Sequence, residues 1–210
     1  GHVHLTARAM HWWIEAMRCA FADRAQHLGD PDFHSVPVAG LLSPAWIAER
    51  RVSIGERARE DVQPLAVALE ESAETTHMSV VDSEGNAVSL TTTLNASFGS
   101  GILVPDAGFL LNNELDDFSI KPGTPNMFGL VGGQANQLMP GKRPLSSMSP
   151  TVVRNGAGQV ALVIGAPGGP RIITSVAQVI LRVLGYGQSL KEAVGAPRIH
   201  QQWVPAKTLL

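Results

Sequence analysis

The sequence predicts an α+β fold in which helices come first, antiparallel strands follow, and further helices come after the strands. Two observations support this prediction. Apolar residues recur every three to four positions in segment 5–28, as in a helix buried on one face, and lie almost all round segment 172–184, as in a helix buried between a sheet and another layer. Between these segments, runs rich in Val, Thr and Leu are separated by turns that contain Gly and Asn, as in strand pairs.

The first helix is predicted from Leu5 to about Leu28, with Gly29 ending it. Its apolar face is expected to carry Met10, Trp13, Ile14, Met17, Ala20 and Phe21. Ser43 and Pro44 are a cap and a first helical residue, which predicts a second helix through about Arg59. The charged stretches 56–61 and 70–74 favour a solvated, flexible linker, and an ordinary surface loop remains the alternative.

The later elements are two strand pairs and two helices. The strands are expected at 78–81 and 87–94, with turn residues 83–86 between them, and at 151–154 and 160–164, with turn residues 155–158 between them. The first of these strands is expected to alternate between a buried and an exposed face. The helices are expected at 172–184 and, starting at Leu190, through 194.

Composition limits the classes of partner. The chain of 210 residues is 44% hydrophobic and has a formal net charge of −2 without a block of like charge, so neither nucleic acid nor a membrane surface is indicated. The single cysteine, Cys19, has no intrachain disulfide partner and is expected to be a buried thiol. No apolar run reaches the roughly 18 residues of a membrane span, and no signal peptide is recognisable at the N-terminus.

Thr75 and Thr76 stand directly before the first predicted strand. If the bond between Glu74 and Thr75 is broken, Thr75 gains an α-amine that can activate its own hydroxyl for attack on an amide. β-Branched hydroxyl residues are also common where strands begin. The threonines alone therefore leave both interpretations open.

Five segments, in one order along the chain, favour the nucleophile over an ordinary strand start. They are Glu74–Asp82, Thr91–Gly101, Leu111–Phe118, Lys142–Pro150 and Gly165–Arg171. Together they resemble the γ-glutamyltranspeptidase family of N-terminal-nucleophile hydrolases, over the whole chain and most specifically from Thr75 to Trp203. The resemblance implies a four-layer αββα sandwich, incomplete in this chain, and autocatalytic cleavage between Glu74 and Thr75. It implies that residues 1–74 are the C-terminal end of the large subunit with its processing linker, and that residues 75–210 are the small catalytic subunit, truncated at its C-terminus.

The resemblance also assigns roles to single residues. Thr75 is the expected nucleophile, Thr93 the hydroxyl that orients it, and Gly168 and Gly169 the source of the oxyanion-binding N–H groups. The expected ligands of a donor's α-ammonium group are Asp117, Glu114 and Asn95, and those of its α-carboxylate are Ser146 and Ser147. Phe128 stands where lidded members carry a tyrosine that closes over the donor, within the long segment 119–142. The family's carboxylate-binding arginine belongs to the large subunit upstream of this chain.

The function implied by the resemblance is transfer or hydrolysis of a γ-glutamyl group, taken from glutathione or another γ-glutamyl amide and passed through an ester on Thr75 to water, an amino acid or a peptide. A related amide acylase and a non-catalytic remnant are the alternatives. No cofactor and no metal is expected, and His2, His4 and His11 do not form a defensible ligand set. His77 is expected to be a packed, hydrogen-bonded residue rather than a catalytic one. The rest of the large subunit is the expected partner, and the periplasm or the extracellular space the expected location.

Overall fold

The structure is a computed structural model that describes residues 6–59 and 75–210. Residues 60–74, which include most of the predicted linker and Glu74, lie outside the described residues. So do His2 and His4. The described chain forms two compact units. Residues 6–59, 115–145 and 197–210 make the first unit, and residues 75–114 and 146–196 make the second.

The first unit is built on helix α1, Ala7–His27. Thr6 caps it because its hydroxyl oxygen accepts the N–H of Ala9 at 3.2 Å. Leu28, at the other end, has an extended backbone, so the predicted bounds are confirmed to within two residues.

The predicted buried face of α1 is confirmed in part. Of the six apolar residues expected there, Phe21 is fully buried, Ala20 is exposed, and the other four are partly buried. The buried face carries Glu15 and Arg18, whose side chains form an ion pair at 3.0 Å. Arg18 also donates to the carbonyl of Arg59 at 3.1 Å. Paired charges can thus occupy a face that apolar periodicity assigns to hydrophobic residues. Cys19 is buried and has no disulfide, as expected.

Two shorter helices follow, α2 at Val38–Leu41 and α3 at Pro44–Ser53. The hydroxyl oxygen of Ser43 accepts the N–H of Trp46, which confirms the predicted cap. Helix α3 ends at Ser53 rather than near Arg59 because Ile54 turns to an extended backbone. Asp23 of α1 accepts the indole N–H of Trp46 at 3.0 Å and so fastens α3 to α1.

The segment 115–145 of the first unit contains little regular structure beyond the 3₁₀ helix Glu114–Asp117 at its start and a 3₁₀ turn at Gln134–Asn136. It packs closely on the end of α1: the N–H of Gly133 donates to the carbonyl of Ala25 at 2.9 Å. A Cβ atom at Gly29 would stand 2.2 Å from the carbonyl oxygen of Ala135, so only glycine allows this approach. Arg143 then binds the buried carboxylate of Asp30 through its backbone N–H and its guanidinium.

The second unit contains three antiparallel strand pairs. Strands β1, Thr76–Val81, and β2, Ala87–Thr92, form the predicted hairpin, β3 and β4 are two-residue strands at Leu103–Val104 and Phe109–Leu110, and β5, Thr151–Arg154, pairs with β6, Val160–Ile164. The hydroxyl of Ser89 on β2 joins two of the pairs, because it donates to the carbonyl of Ile164 and accepts the N–H of Thr151.

The alternation expected for β1 was wrong, because five of its six residues are exposed, whereas partly buried and exposed residues do alternate along β2. The apolar residues Met78 and Val80 are about half exposed because no described part of the chain covers them.

Helix α4 follows at Arg171–Ile180, continues through a π-helical turn at Leu181–Gly185, and is succeeded by α5 at Leu190–Gly195. Ser189 and Glu192 form a capping box at the start of α5. The α+β class is therefore confirmed. None of the helices in the described ranges is long and apolar enough to cross a membrane.

Candidate active site

The centre of the site is a contact between two threonines at the open end of the β1–β2 hairpin. Thr76 pairs with Thr92 in the strand register, so Thr75 and Thr93 face each other one position beyond the ladder. The Thr75 hydroxyl donates to the Thr93 hydroxyl oxygen at 3.3 Å. Thr75 is only 8% exposed. The hairpin therefore holds the predicted nucleophile and the predicted orienting hydroxyl side by side.

Asn95 is the next residue that the structure adds to this pair. Its N–H donates to the Thr93 hydroxyl oxygen at 3.0 Å. Its φ of +75° lies in the left-handed region, which Asn tolerates better than most residues. Asn95 is buried, and its backbone N–H connects it to the threonine pair.

Asn113 connects that turn to the segment that carries Glu114. The side-chain oxygen of Asn113 accepts the N–H of Ala96 at 2.9 Å, and its backbone N–H donates to the carbonyl of Leu94 at 3.2 Å. The side-chain amide of Asn95 donates to the carbonyl of Asn113 at 3.4 Å. Glu114 therefore follows a residue that is hydrogen-bonded to the turn 94–96, and Asn95 of that turn bonds Thr93. Burial raises the pKa of the Glu114 carboxyl group above its ordinary value.

His77 follows Thr75 by two residues, on strand β1, and its contacts are structural. Its Nδ1 atom is 2.8 Å from the hydroxyl oxygen of Thr91, and its Nε2 atom is 3.0 Å from that of Ser79. A Cβ atom at Gly165 would stand 2.2 Å from the imidazole ring, so the ring packs on the backbone at the end of β6. Both ring nitrogens are thus engaged, in agreement with the expected hydrogen-bonded role.

The predicted oxyanion-binding glycines lie between β6 and α4. Gly168 and Gly169 have φ values of +123° and +55°, which L side chains rarely adopt. Their carbonyls accept the N–H groups of Arg171 and Ile172 at the start of α4. The two left-handed residues reverse the chain at the positive end of the helix dipole, a geometry suited to stabilising an anion.

Ser146 and Ser147 also belong to the second unit. The Ser146 hydroxyl oxygen accepts the N–H of Met148 at 3.0 Å, and the carbonyl of Ser147 accepts the hydroxyl of Ser149 at 3.1 Å. Ser146 is exposed and Ser147 is partly buried. Ser149 therefore has a structural contact.

Asp117 and Phe128 belong to the first unit. The carbonyl of Asp117 accepts the side-chain amide of Asn136 at 2.7 Å. The guanidinium of Arg24 lies near its carboxylate: burial lowers the pKa of Arg24 to about 10, while the charge of Asp117 acts in the opposite direction. Phe128 is 7% exposed, and its carbonyl accepts the side-chain amide of Gln202 at 3.0 Å. The neighbouring Asp116 accepts the N–H of Met127 at 2.8 Å and so supports the segment that carries Phe128.

The structure thus groups Thr75, Thr93 and Asn95 by direct hydrogen bonds and adds Glu114 through its neighbour Asn113. Sequence reasoning missed Asn113 and the first-unit pair Arg24 and Asn136, whose contacts all reach backbone groups or charges distant in sequence. The doublet Asn112–Asn113 was the single available signal, because adjacent asparagines often hydrogen-bond a turn through their side chains.

Comparison with known proteins identifies this arrangement. A family model described as gamma-glutamyltranspeptidase matches residues 2–210. The chain belongs to the γ-glutamyltranspeptidase family. It is 50% identical over 203 residues to a glutathione hydrolase proenzyme of Escherichia coli strain K12, a match that covers 95% of this chain and 35% of the relative. The chain therefore spans about a third of the length of such curated relatives.

Solved structures agree with this membership. A mutant form of the Helicobacter pylori gamma-glutamyltranspeptidase is 62% identical, over 61% of this chain and 68% of that one, with a TM-score of 0.59. A cephalosporin acylase from Bacillus halodurans is 28% identical, over 95% of this chain and 34% of that one, with a TM-score of 0.75. The expected fold of the N-terminal-nucleophile hydrolases is confirmed by these similarities.

Proposed function

We propose that this chain carries the catalytic threonine of an enzyme that cleaves γ-glutamyl amides such as glutathione and passes the γ-glutamyl group to water, an amino acid or a peptide. The observation that carries the proposal is the buried hydroxyl of Thr75, bonded to Thr93 at 3.3 Å directly before strand β1. A strand-start threonine with a hydroxyl partner is the arrangement that a processed threonine nucleophile requires.

The first chemical step proposed is cleavage of the chain itself. The Thr75 hydroxyl attacks the Glu74 carbonyl, and the acyl group moves from the Thr75 nitrogen to its oxygen, which frees the α-amine of Thr75. Water then hydrolyses the resulting ester, which leaves Glu74 as a C-terminal carboxylate and restores the Thr75 hydroxyl. A free α-amine has a pKa of about 7.7–8.0, so a substantial neutral fraction is present near neutral pH to accept the hydroxyl proton. Residues 1–74 and 75–210 would then belong to the large and small subunits, respectively.

Turnover follows the same chemistry on a bound donor. The Thr75 oxygen attacks the γ-carbonyl carbon while its proton passes to the α-amine, and the N–H groups at Gly168 and Gly169 stabilise the negative charge on the carbonyl oxygen. Collapse of this intermediate transfers the proton to the leaving amine and leaves a γ-glutamyl ester. Attack by water or an acceptor amine regenerates Thr75.

Donor selection is proposed to depend on both ends of the amino-acid group. Asp117, Glu114 and Asn95 would contact the α-ammonium group, and Ser146 and Ser147 would donate hydrogen bonds to the α-carboxylate. Phe128 would cover the bound donor without the hydroxyl that lidded members use. A polar set of this kind suits an amino acid better than the apolar acyl group of a related acylase. The resemblance further supports a periplasmic or extracellular location and pairing with the rest of a large subunit.

Processing provides the direct test. The experiment uses the full-length enzyme, here meaning a protein of the relatives' length that contains these 210 residues. Intact-mass measurement and N-terminal sequencing should find a smaller chain that begins at Thr75. Thr75→Ala should remain uncut, whereas Thr76→Ala, which changes an exposed strand residue next to it, should be cut normally. An uncut wild-type protein, or cleavage in Thr75→Ala, would contradict the proposal.

A further inference from the structure

The first unit contains a buried amide whose two hydrogen bonds reach two parts of the proposed donor-binding apparatus. Asn136 is 5% exposed. Its Nδ2 group donates to the carbonyl of Asp117 at 2.7 Å, and its Oδ1 atom accepts the N–H of Leu145 at 3.0 Å. Leu145 immediately precedes Ser146 and Ser147 in the chain. One side chain therefore fixes the backbone at the proposed ammonium ligand and at the residue before the proposed carboxylate ligands.

Arg24 also interacts with both Leu145 and Asp117. Its guanidinium donates to the carbonyl of Leu145 at 3.3 Å, so both backbone polar groups of Leu145 are bound. Arg24, Asp117, Asn136 and Leu145 line a single cleft. The guanidinium of Arg24 also interacts electrostatically with Asp117.

The segment that leads to Ser146 is also anchored by Lys142 and Arg143, but their contacts differ from those of Asn136. The Lys142 ammonium group donates to the carbonyl of Ala135 at 2.8 Å, and Arg143 binds Asp30. Neither contact involves Asp117. Asn136 hydrogen-bonds the backbone of both Asp117 and Leu145, so removing its amide should loosen the ammonium ligand while the other anchors keep the segment in place.

We propose that Asn136 is a positioning residue that sets donor specificity by holding Asp117 against the donor's α-ammonium group. This inference rests on the proposed function, because it presupposes a γ-glutamyl donor. Asn136 touches neither the donor nor Thr75; it acts through the backbone of Asp117. The consequence should be a loss of discrimination for the amino group rather than a uniform loss of activity.

The test compares two donors in the full-length enzyme. One is a γ-glutamyl anilide, and the other is the glutaryl anilide, which lacks only the α-amino group. Asn136→Ala should lower kcat/KM for the γ-glutamyl donor by about 3- to 10-fold, the range of one lost hydrogen bond. The kcat/KM for the glutaryl donor should stay within about 2-fold of the wild-type value. The preference for the amino group should therefore fall by nearly the same factor.

Gln201→Ala is the matched control. Gln201 is also a buried amide of the first unit, 3% exposed, but its side-chain oxygen accepts the N–H of Trp203, two residues away, at 2.8 Å. If Gln201→Ala destabilises the enzyme in general, its kcat/KM should fall equally for both donors. Asn136→Asp, which keeps the oxygen that accepts from Leu145, serves if Asn136→Ala fails to fold or to be processed, and the same fall in the donor ratio is expected.

A double variant completes the test. If Asn136 acts through Asp117, adding Asn136→Ala to Asp117→Ala should not change the donor ratio further. An unchanged ratio in Asn136→Ala, or an equal loss for both donors as in the control, would overturn the inference while leaving the proposed function intact. A processed wild-type enzyme that shows no preference for the γ-glutamyl donor would instead overturn the proposed recognition of the α-ammonium group.

Discussion

The hydroxyl of Thr93 offers the sharpest mutational test of the geometry. Thr93→Val replaces that hydroxyl by a methyl group of similar size and so removes two hydrogen bonds, one from the Thr75 hydroxyl at 3.3 Å and one from the Asn95 N–H at 3.0 Å. The variant should remain folded because the shape of the side chain is kept. We expect two separable effects, one on the nucleophile and one on stability.

The effect on the nucleophile follows from the length of its bond. At 3.3 Å the contact is longer than the usual 2.7–2.8 Å of a hydroxyl pair. It should therefore contribute at the weak end of the range for a hydrogen bond, about 0.5–1 kcal/mol, which corresponds to roughly a 2- to 5-fold loss in kcat. The Asn95 N–H is left without its partner, which should lower the free energy of unfolding by about 1–3 kcal/mol.

Steady-state kinetics with a γ-glutamyl anilide and thermal unfolding of the full-length enzyme measure the two effects. Thr93→Ser keeps the hydroxyl and should retain most of both properties. Thr92→Val is the control, because Thr92 is an exposed threonine on the same strand. If Thr93→Val were processed, turned over and unfolded like the wild type, Thr93 would have no orienting role.

Three further predictions concern titration and the proposed cover. Because burial raises the pKa of Glu114, its carboxylate should be protonated, and donor binding lost, at a higher pH than for an ordinary carboxyl group. Glu114→Gln should move the acidic limb of the kcat/KM profile to lower pH. An unmoved limb would exclude Glu114 from donor binding. Hydrogen bonds from Arg143 hold the pKa of Asp30 well below its ordinary value, so Asp30 stabilises the fold above about pH 4 and this stabilisation is lost in more acidic solution. Asp30→Asn should thus lower the Tm at neutral pH, by an amount that shrinks below about pH 4. Asp32→Asn should change the Tm little, because the Asp32 side chain is 72% exposed. Equal effects of the two substitutions would refute the stabilising role of Asp30. Phe128→Tyr should raise the ratio of transfer to hydrolysis because the restored hydroxyl can latch the cover, and product analysis showing an unchanged or lower ratio would refute the latch.

The sequence predicted those parts of the fold that depend on local signals. The start of α1, the cap at Ser43 and the β1–β2 hairpin all follow from short-range patterns, and the hairpin register in turn brings Thr75 next to Thr93. The short pair β3–β4 was missed because two-residue strands carry too little periodicity to be recognised.

Long-range polar contacts were beyond sequence reasoning. The buried ion pair of Glu15 and Arg18 on α1 was not predicted, because periodicity does not record which charges are paired. The hydrogen bonds of Asn113 and Asn136 join side chains to backbone groups many residues away. Contacts of this kind leave no local pattern, so the sequence indicated the candidate ligands but not the residues that hold them.

The central claim is that Thr75 carries the γ-glutamyl group, and trapping that ester tests it most directly. The full-length enzyme would be mixed with a γ-glutamyl anilide, quenched in acid during turnover, and examined by peptide mass mapping. We predict a γ-glutamyl adduct on the hydroxyl of the peptide that begins at Thr75, and no adduct on that peptide in Thr75→Ala. An adduct on another residue, or steady turnover with no adduct at Thr75, would contradict the account.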